Sequence, residues 1–500
     1  MARDPIAGGG FGGAKDPIAA GGGGHGGAEG PIAAGGGGHG GAEGPIAAGG
    51  GGLGGAEGPI AAGGGLAGAK VLIAGGGLAG LAAAAALGGA GYEVELFESR
   101  PFLGGRATSY ALPGAGEQEA ETIDNCQHIL LRCCGNLLDF YTRLGVRDRI
   151  RFHREFYFLE PGGRISVLRR GRLPAPLHFT GSFLGLRCLD WRDKMGIARA
   201  LLAIRRERTR RQDLERISMA DWLLQKRQTP RAIDRFWRQI LVSAVNEDLE
   251  RMAAVHGFKV FWLGFLARAD SYEMGVPAVP LGQLYSTDAW GRMGNVRIHF
   301  RAPVERIDSG GFVVAGERHV ADRYICALPF ERLEAVGLPA PALEHSPITG
   351  VHLWFDREVT TLPHATLLGR TMQWMFNKDR GRYLQLVVSA SRELTPLSRA
   401  EIIDIAIGDL RLYFPRVRDA HLLKAHVIKE QRATFSAAPE TERLRSTPDS
   451  GVPNVYLAGD WTRTGWPATM EGAVKSGYIA AEWVARAAGR AEKFVVPDAG

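Results

Sequence analysis

Gly75, Gly77 and Gly80 stand at G-x-G-x-x-G spacing, directly after the apolar run Val71–Ala74 and directly before Leu81–Leu87, in which five of seven residues are alanine. Glu98 ends the next run, Tyr92–Glu98, 23 residues after Gly75. These residue types at this spacing can hold the pyrophosphate and ribose of a dinucleotide. Gly75 permits the tight turn. Gly77 lets the backbone approach the pyrophosphate, and Gly80 lets a helix pack close to a sheet. Leu78 and Ala79 open that helix, whose free N–H groups and positive dipole end face the phosphates. The Glu98 carboxylate is placed to accept hydrogen bonds from an adenosine ribose.

The elements that position these residues form a βαβ unit: strand, glycine turn, alanine-rich helix, strand ending on an acid. Context decides, because Gly63–Gly68 spells the same hexapeptide as Gly75–Gly80. There Pro59 interrupts the would-be strand, and Ala69-Lys70-Val71 stands where a helix should run. That first copy closes a tandem repeat in which Pro-Ile-Ala recurs at Pro5, Pro17, Pro31, Pro45 and Pro59. Each unit offers one isoleucine among glycines, too little to offset chain entropy, so residues 1–68 are expected to be disordered. Beyond the first βαβ unit a basic, partly helical region runs to about Met274. Alternating strands are expected over Asn295–Phe300, Gly350–Phe355, Met372–Phe376 and Tyr383–Ser389. Helices are expected over Arg399–Phe414 and Met470–Ala487. A short apolar strand, Asn454–Ala458, leads into Gly459-Asp460.

The first 68 residues hold 30 of the 70 glycines, which leaves about 430 of the 500 residues to build cores. The net charge of +7 is uneven: Arg147–Arg216 carries 18 Lys/Arg against 8 Asp/Glu, or +10, so the remainder sums to −3. Five cysteines without a C-x-x-C pair read as reduced thiols in a cytosol, and no spacing suits a metal. No signal peptide and no 18-residue apolar run is present, so no membrane span is expected. The arginines of 205–211 are read as a solvated or membrane-facing helix, not a nucleic-acid site.

The stretches VLIAGGGLAG, ESRPFLGGR and YLAGDWTRTGWPATMEGAVKSG resemble the flavin amine oxidase and phytoene desaturase superfamily. Within it, Asp124–His128, Asp234–Trp237, Ser243–Asn246, His352–Asp356, Gln373–Phe376 and Glu430–Phe435 are similar to the squalene-associated branch, the hydroxysqualene dehydroxylases. The resemblance covers roughly 69–488. One position departs: the family pattern has glycine where Cys126 stands.

The resemblance implies an α/β fold, with an FAD-binding Rossmann-like βαβ domain interleaved with a mixed α+β substrate domain. The FAD-binding domain is expected from 69–125, 276–335 and 446–488, and the substrate domain from 126–275 and 336–445. It also implies FAD contacts beyond the fingerprint. Ser99 and Arg100 would join Glu98. Gly104, Gly105 and Arg106 would lie near the pyrophosphate, and Val304 would offer backbone groups to the adenine. Gly459 and Asp460 would meet the ribityl chain. Met470, Glu471 and Ala473 would open a helix toward the flavin's negative edge.

The implied reaction is reductive removal of the hydroxyl of hydroxysqualene to give squalene, in hopanoid or related triterpene synthesis. Asp124 and His128 are the titratable candidates for the acid that helps the hydroxyl leave. Trp374 and Trp466 are candidates to wall the substrate pocket. No second fingerprint follows a strand, so electrons are expected from an external donor. The basic segment around Leu173–Leu186 is expected to dock on the inner face of a membrane from the cytoplasm. A phytoene-type desaturase and a non-catalytic flavin-binding lipid carrier are the alternatives. The oligomeric state stays open.

Overall fold

The strand β1 (Lys70–Ala74) is the centre of a parallel sheet. The computed structural model describes residues 68–112 and 121–498, so the repeat expected to be disordered lies, but for Gly68, outside the described residues. Beside β1 lie β2 (Glu93–Glu98) on one side and β4 (Arg323–Cys326) on the other. β3 (Val296–Phe300) and β5 (Val455–Leu457) form the two edges, giving the order β3-β2-β1-β4-β5. Every pairing in this sheet is parallel. Strands from three distant stretches of chain therefore build one nucleotide-binding sheet, and their C-terminal ends share one edge.

Between β1 and β2 runs α1 (Leu78–Gly89), whose residues from Leu78 to Gly88 are all buried. Its alanines have a packing reason. On the far side lies α3 (Met470–Ala487), and a Cβ on Gly477 of α3 would stand 2.1 Å from the Ala79 carbonyl oxygen. Two helices that close leave room only for small side chains, so α1 is sandwiched between sheet and helix. Between these in sequence, α2 (Gly135–Arg143) packs against both.

The remaining body is built on a seven-stranded mixed sheet. Its long strands are His345–Phe355 and Leu422–Phe435, paired antiparallel. The helix Arg399–Tyr413 lies against these strands, capped by Ser398 and Glu401. The basic region contains strand as well as helix. Glu155–Leu159 and Ile165–Arg169 form a hairpin that joins this sheet through His364–Leu367. Phe156, Phe158 and Leu159 are buried while Glu155 and Tyr157 are half-buried, a pattern that the surrounding arginines mask in the sequence.

The same region holds the segment expected to dock on a membrane. Phe179 packs on Tyr272 with ring centroids 4.7 Å apart, and Phe183 packs on Phe236 at 5.9 Å. Neither faces out. The exposed apolar side chains here are Leu173, Leu177 and Leu184, followed by Trp191, Met195 and Leu202 on the helix Trp191–Glu207. Among the described residues no helix is long and apolar enough to cross a membrane.

Candidate active site

The glycine turn behaves as its spacing demands. Gly75 adopts φ +105°, and a Cβ there would stand 2.8 Å from the Ala327 carbonyl oxygen. A Cβ on Gly80 would lie 2.0 Å from the Gly75 carbonyl oxygen. At Gly77 a Cβ would meet nothing within 4 Å. That open position faces the first turn of α1, which has no side-chain cap and no acid. Leu78, Ala79 and Gly80 therefore open a helix whose first N–H groups await an anion. The second glycine pair closes on the first: Gly104 donates its N–H to the Gly76 carbonyl at 2.9 Å, and a Cβ on Gly105 would reach the Gly77 Cα at 3.1 Å.

Glu98 is already engaged. Its carboxylate accepts the Gly76 N–H at 2.7 Å, the Arg100 N–H at 2.8 Å and the Ser99 hydroxyl at 3.1 Å. It thus braces the glycine turn from β2 while keeping lone pairs for a ribose. The Glu98 carbonyl accepts the Ala302 N–H at 2.9 Å, which brings Val304 and its strand beside it.

Arg106 lies where the second glycine pair delivers it, and donates both to Asp460 (2.7 and 2.8 Å) and to the Ala433 carbonyl (2.7 Å). The Asp460 carboxylate and burial act oppositely on this guanidinium, and the net effect raises its pKa. Asp460 follows Gly459 at the end of β5, where φ is +151° and the Gly459 N–H reaches the Ser476 hydroxyl at 2.8 Å. The loop after it is held by Arg445, whose side chain is fully buried. Arg445 donates to the carbonyls of Asp460, Thr462 and Trp466 and to Glu442.

α3 starts beside this loop. Thr469 caps it by accepting the Gly472 N–H, and the Ala473 N–H goes to the Thr469 carbonyl. The N–H groups of Met470 and Glu471 have no protein partner among the described residues. The Glu471 side chain turns the other way. It accepts from the Asn136 N–H (3.0 Å), the Asn136 amide (2.7 Å) and the Leu137 N–H (2.8 Å), and so caps α2. Only its backbone is free to meet a cofactor.

The two candidate acids lie on different elements. Spaced four apart, they would share a face of a helix, but Asp124 ends the strand Glu121–Asp124 and His128 lies in the loop beyond. Asp124 accepts from the Ser109 hydroxyl (2.7 Å) and the Leu281 N–H (2.9 Å), with Lys378 at 3.4 Å. His128 points its Nδ1 at the Cys126 carbonyl, 2.8 Å away. A carbonyl only accepts, so Nδ1 carries the proton. Burial lowers the imidazole pKa, so the ring is neutral with Nε2 as a lone pair. Neither residue is among those that line the apolar cavity described below. Cys126, the departure from the family pattern, keeps a negative φ that any side chain tolerates.

Trp374 and Trp466 do meet at one cavity, of about 150 Å³, lined almost wholly by apolar side chains. A π-helical turn, Trp262–Leu266, aims Leu263, Gly264 and Phe265 into it. Trp374 donates its indole N–H to the Ser243 hydroxyl at 2.7 Å, so two of the quoted sequence runs touch. Thr469 and Met470 form another wall, which joins the cavity to the N-terminus of α3. Lys259 also lines it, and sequence reasoning missed this residue. The only signal was a lysine amid Phe258, Val260 and Phe261.

A profile of the family described as flavin containing amine oxidoreductase matches residues 78–485. The chain belongs to this family. It is 25% identical to the 15-cis-phytoene desaturase of Synechococcus elongatus over 438 residues, 78% of this chain and 90% of that protein. It is 24% identical to the zeta-carotene desaturase of a Synechocystis species over 460 residues, 78% of this chain and 92% of that one. The crystal structure of an oxidoreductase from Methanosarcina mazei superposes with a TM-score of 0.63 at 18% identity, covering 82% of this chain and 98% of that one. The protein is thus an FAD-dependent oxidoreductase with the α/β fold of this superfamily. The residues present fit FAD: the cradle at Gly77 is open and the first turn of α1 is uncapped.

Proposed function

We propose that the protein reductively removes the hydroxyl of hydroxysqualene to give squalene, in hopanoid or related triterpene synthesis. The observation that carries this reading is the apolar cavity abutting the first turn of α3. At about 150 Å³ it takes the reacting end of a long hydrocarbon and leaves the rest outside. Three of its lining residues, Ser243, Ala244 and Trp374, come from two of the runs that resemble the squalene-associated branch, Ser243–Asn246 and Gln373–Phe376. Bound FAD, once reduced, supplies the hydride. Trp374, Trp466, Phe156 and Phe265 orient an apolar chain and exclude water. Arg106, Asp460, Val304, Ser99 and Arg100 are assigned to hold the cofactor with the glycine turn.

An external donor restores the reduced cofactor, and the enzyme works from the cytoplasm on the inner membrane face, where its substrate partitions. Anaerobic incubation of the reduced protein with hydroxysqualene tests the reading, and squalene is the expected product. The names of the relatives favour a second reading, oxidative desaturation of a polyene. Conversion of phytoene by the oxidised protein, with no squalene from hydroxysqualene, would establish it instead.

A further inference from the structure

Removing a hydroxyl as hydroxide into an apolar cavity is costly, so the reaction needs a proton at the departing oxygen. Asp124 and His128 do not line the cavity assigned above to the substrate. The inference below rests on the dehydroxylation reading and concerns the titratable groups that line the cavity: Cys133, Cys134, Glu471 and Lys259. The Cys134 thiol is pushed up by Cys133 and by burial, so it holds its proton. Glu471 is occupied by three N–H donors from α2.

Lys259 differs. It projects from the helix Ala254–Phe261, with its ammonium 3.1 Å from Asp498 and 5.1 Å from the centre of the Trp466 ring. An ammonium has three donors, and among the described residues only Asp498 takes one. Asp498 itself is fixed from two more sides, by the Trp466 indole at 3.0 Å and by Lys475 of α3 at 3.2 Å. The cluster thus holds a cation against the same tryptophan that walls the cavity.

We propose that Lys259 is the catalytic acid, donating the proton that lets the substrate hydroxyl leave as water. The C–O bond breaks with its electron pair going to oxygen, and the proton from Lys259 Nζ completes the water molecule. The carbon gains a hydride from reduced FAD, so the substrate is reduced by two electrons and the cofactor is oxidised by two. Lys259, left as a neutral amine, regains its proton from solvent beside the half-buried Asp498 and Lys475.

The electrostatics suit the role. Burial lowers the lysine pKa and Lys475 lowers it further, while Asp498 and Glu442 oppose them, and the net effect is a lowered pKa. The neighbouring His256, on the same helix, is held neutral by burial, with its pKa at about 3. Asp498 acts on the reaction through Lys259 and is a positioning residue.

The test is single-turnover oxidation of the reduced holoenzyme by hydroxysqualene across pH, with product analysis. The parent rate should fall as pH rises through the Lys259 pKa. Lys259→Met should lose roughly 10²–10⁴-fold in rate. Its FAD content and its hydroxysqualene affinity, read by titration of the oxidised flavin spectrum, should stay within about threefold. Lys259→Arg keeps the charge but cannot release the proton, and should not rescue. Asp498→Asn removes the anion that retains the proton, so the alkaline limb should move to lower pH, which a purely structural role would not cause. A Lys259→Met rate within about tenfold of the parent, or an unmoved limb in Asp498→Asn, overturns the assignment. A parent that makes no squalene overturns the dehydroxylation reading and this inference with it.

Discussion

Gly77→Val separates binding from folding at a single position. The backbone there is already extended, φ −75° and ψ 175°, which valine accepts, and a Cβ meets nothing within 4 Å. The cofactor-free variant should therefore keep the parent's stability to within about 0.5 kcal/mol. The added isopropyl group fills the position that a pyrophosphate needs. A cofactor present at 100 times its dissociation constant stabilises the native state by about 2.7 kcal/mol, and the variant should forfeit all of it. Gly80→Ala is the contrasting case. Its Cβ would lie 2.0 Å from the Gly75 carbonyl oxygen and 3.3 Å from the Ala327 methyl, so it should cost about 1–3 kcal/mol or more even without FAD. Visible flavin absorbance per polypeptide and denaturant unfolding, with and without added FAD, distinguish the two. A yellow Gly77→Val protein with the parent's FAD-dependent stabilisation would refute the assignment of the cradle.

Stability should fall on mild acidification. Burial lowers the pKa of His128, brings His256 and His352 to about 3 and His364 to about 4, whereas the unfolded value is about 6.5. The unfolded chain therefore binds more protons below that value, so stability is full above about pH 6.5 and is lost as pH falls toward 4, by up to about 1.4 kcal/mol per pH unit for each histidine. Unfolding midpoints that stay flat across that range would contradict the burial of these rings. Glu471→Ala strips three donors at the start of α2 of their acceptor and should destabilise by about 2–4 kcal/mol, read as a shifted denaturant midpoint at constant slope. The triple variant Trp191→Ser, Met195→Ser, Leu202→Ser should bind anionic vesicles at least about tenfold more weakly, with FAD content unchanged. Equal sedimentation of parent and variant would remove this face from consideration.

The parts of the site legible in the sequence are those whose partners are near in the chain. The glycine turn, α1 and β2 constrain one another within 30 residues, Lys70 to Glu98. Helix Met470–Ala487 was readable from its pattern, whereas the capping of α2 by Glu471 spans 335 residues and leaves no local mark. Arg106 and Asp460 were each expected near the cofactor, but their mutual ion pair joins positions 354 apart. Asp124 and His128 were named as titratable groups in a quoted run, and the sequence does not show that the chain there leaves a strand and lies apart from the cavity lining. Lys259 was invisible for a related reason: a charge in an apolar helix reads as a solvated side chain until Asp498, 239 residues on, is folded against it.

Surface features obey the same limit, and the basic region shows how. Net charge survives folding, so its excess of arginine is the ground on which an anionic partner is proposed. Which apolar residues face that partner depends on the register of each helix. In the helix Trp191–Glu207, Asp193, Gly196, Ile197, Ala200 and Ile204 face the core. Trp191, Met195 and Leu202 are then carried to the outside with Arg192, Arg199 and Arg206 around them. Lys194 ties this helix to the Leu184 carbonyl at 2.7 Å, so the exposed leucines of the preceding segment continue the same face. Phe179 and Phe183 lie one layer inward, and Phe179 touches Phe265, a wall of the cavity, with ring centroids 6.1 Å apart. The exposed outer layer and the cavity-facing inner layer thus share one aromatic contact, so an apolar substrate entering from a membrane, as proposed, would pass Phe179.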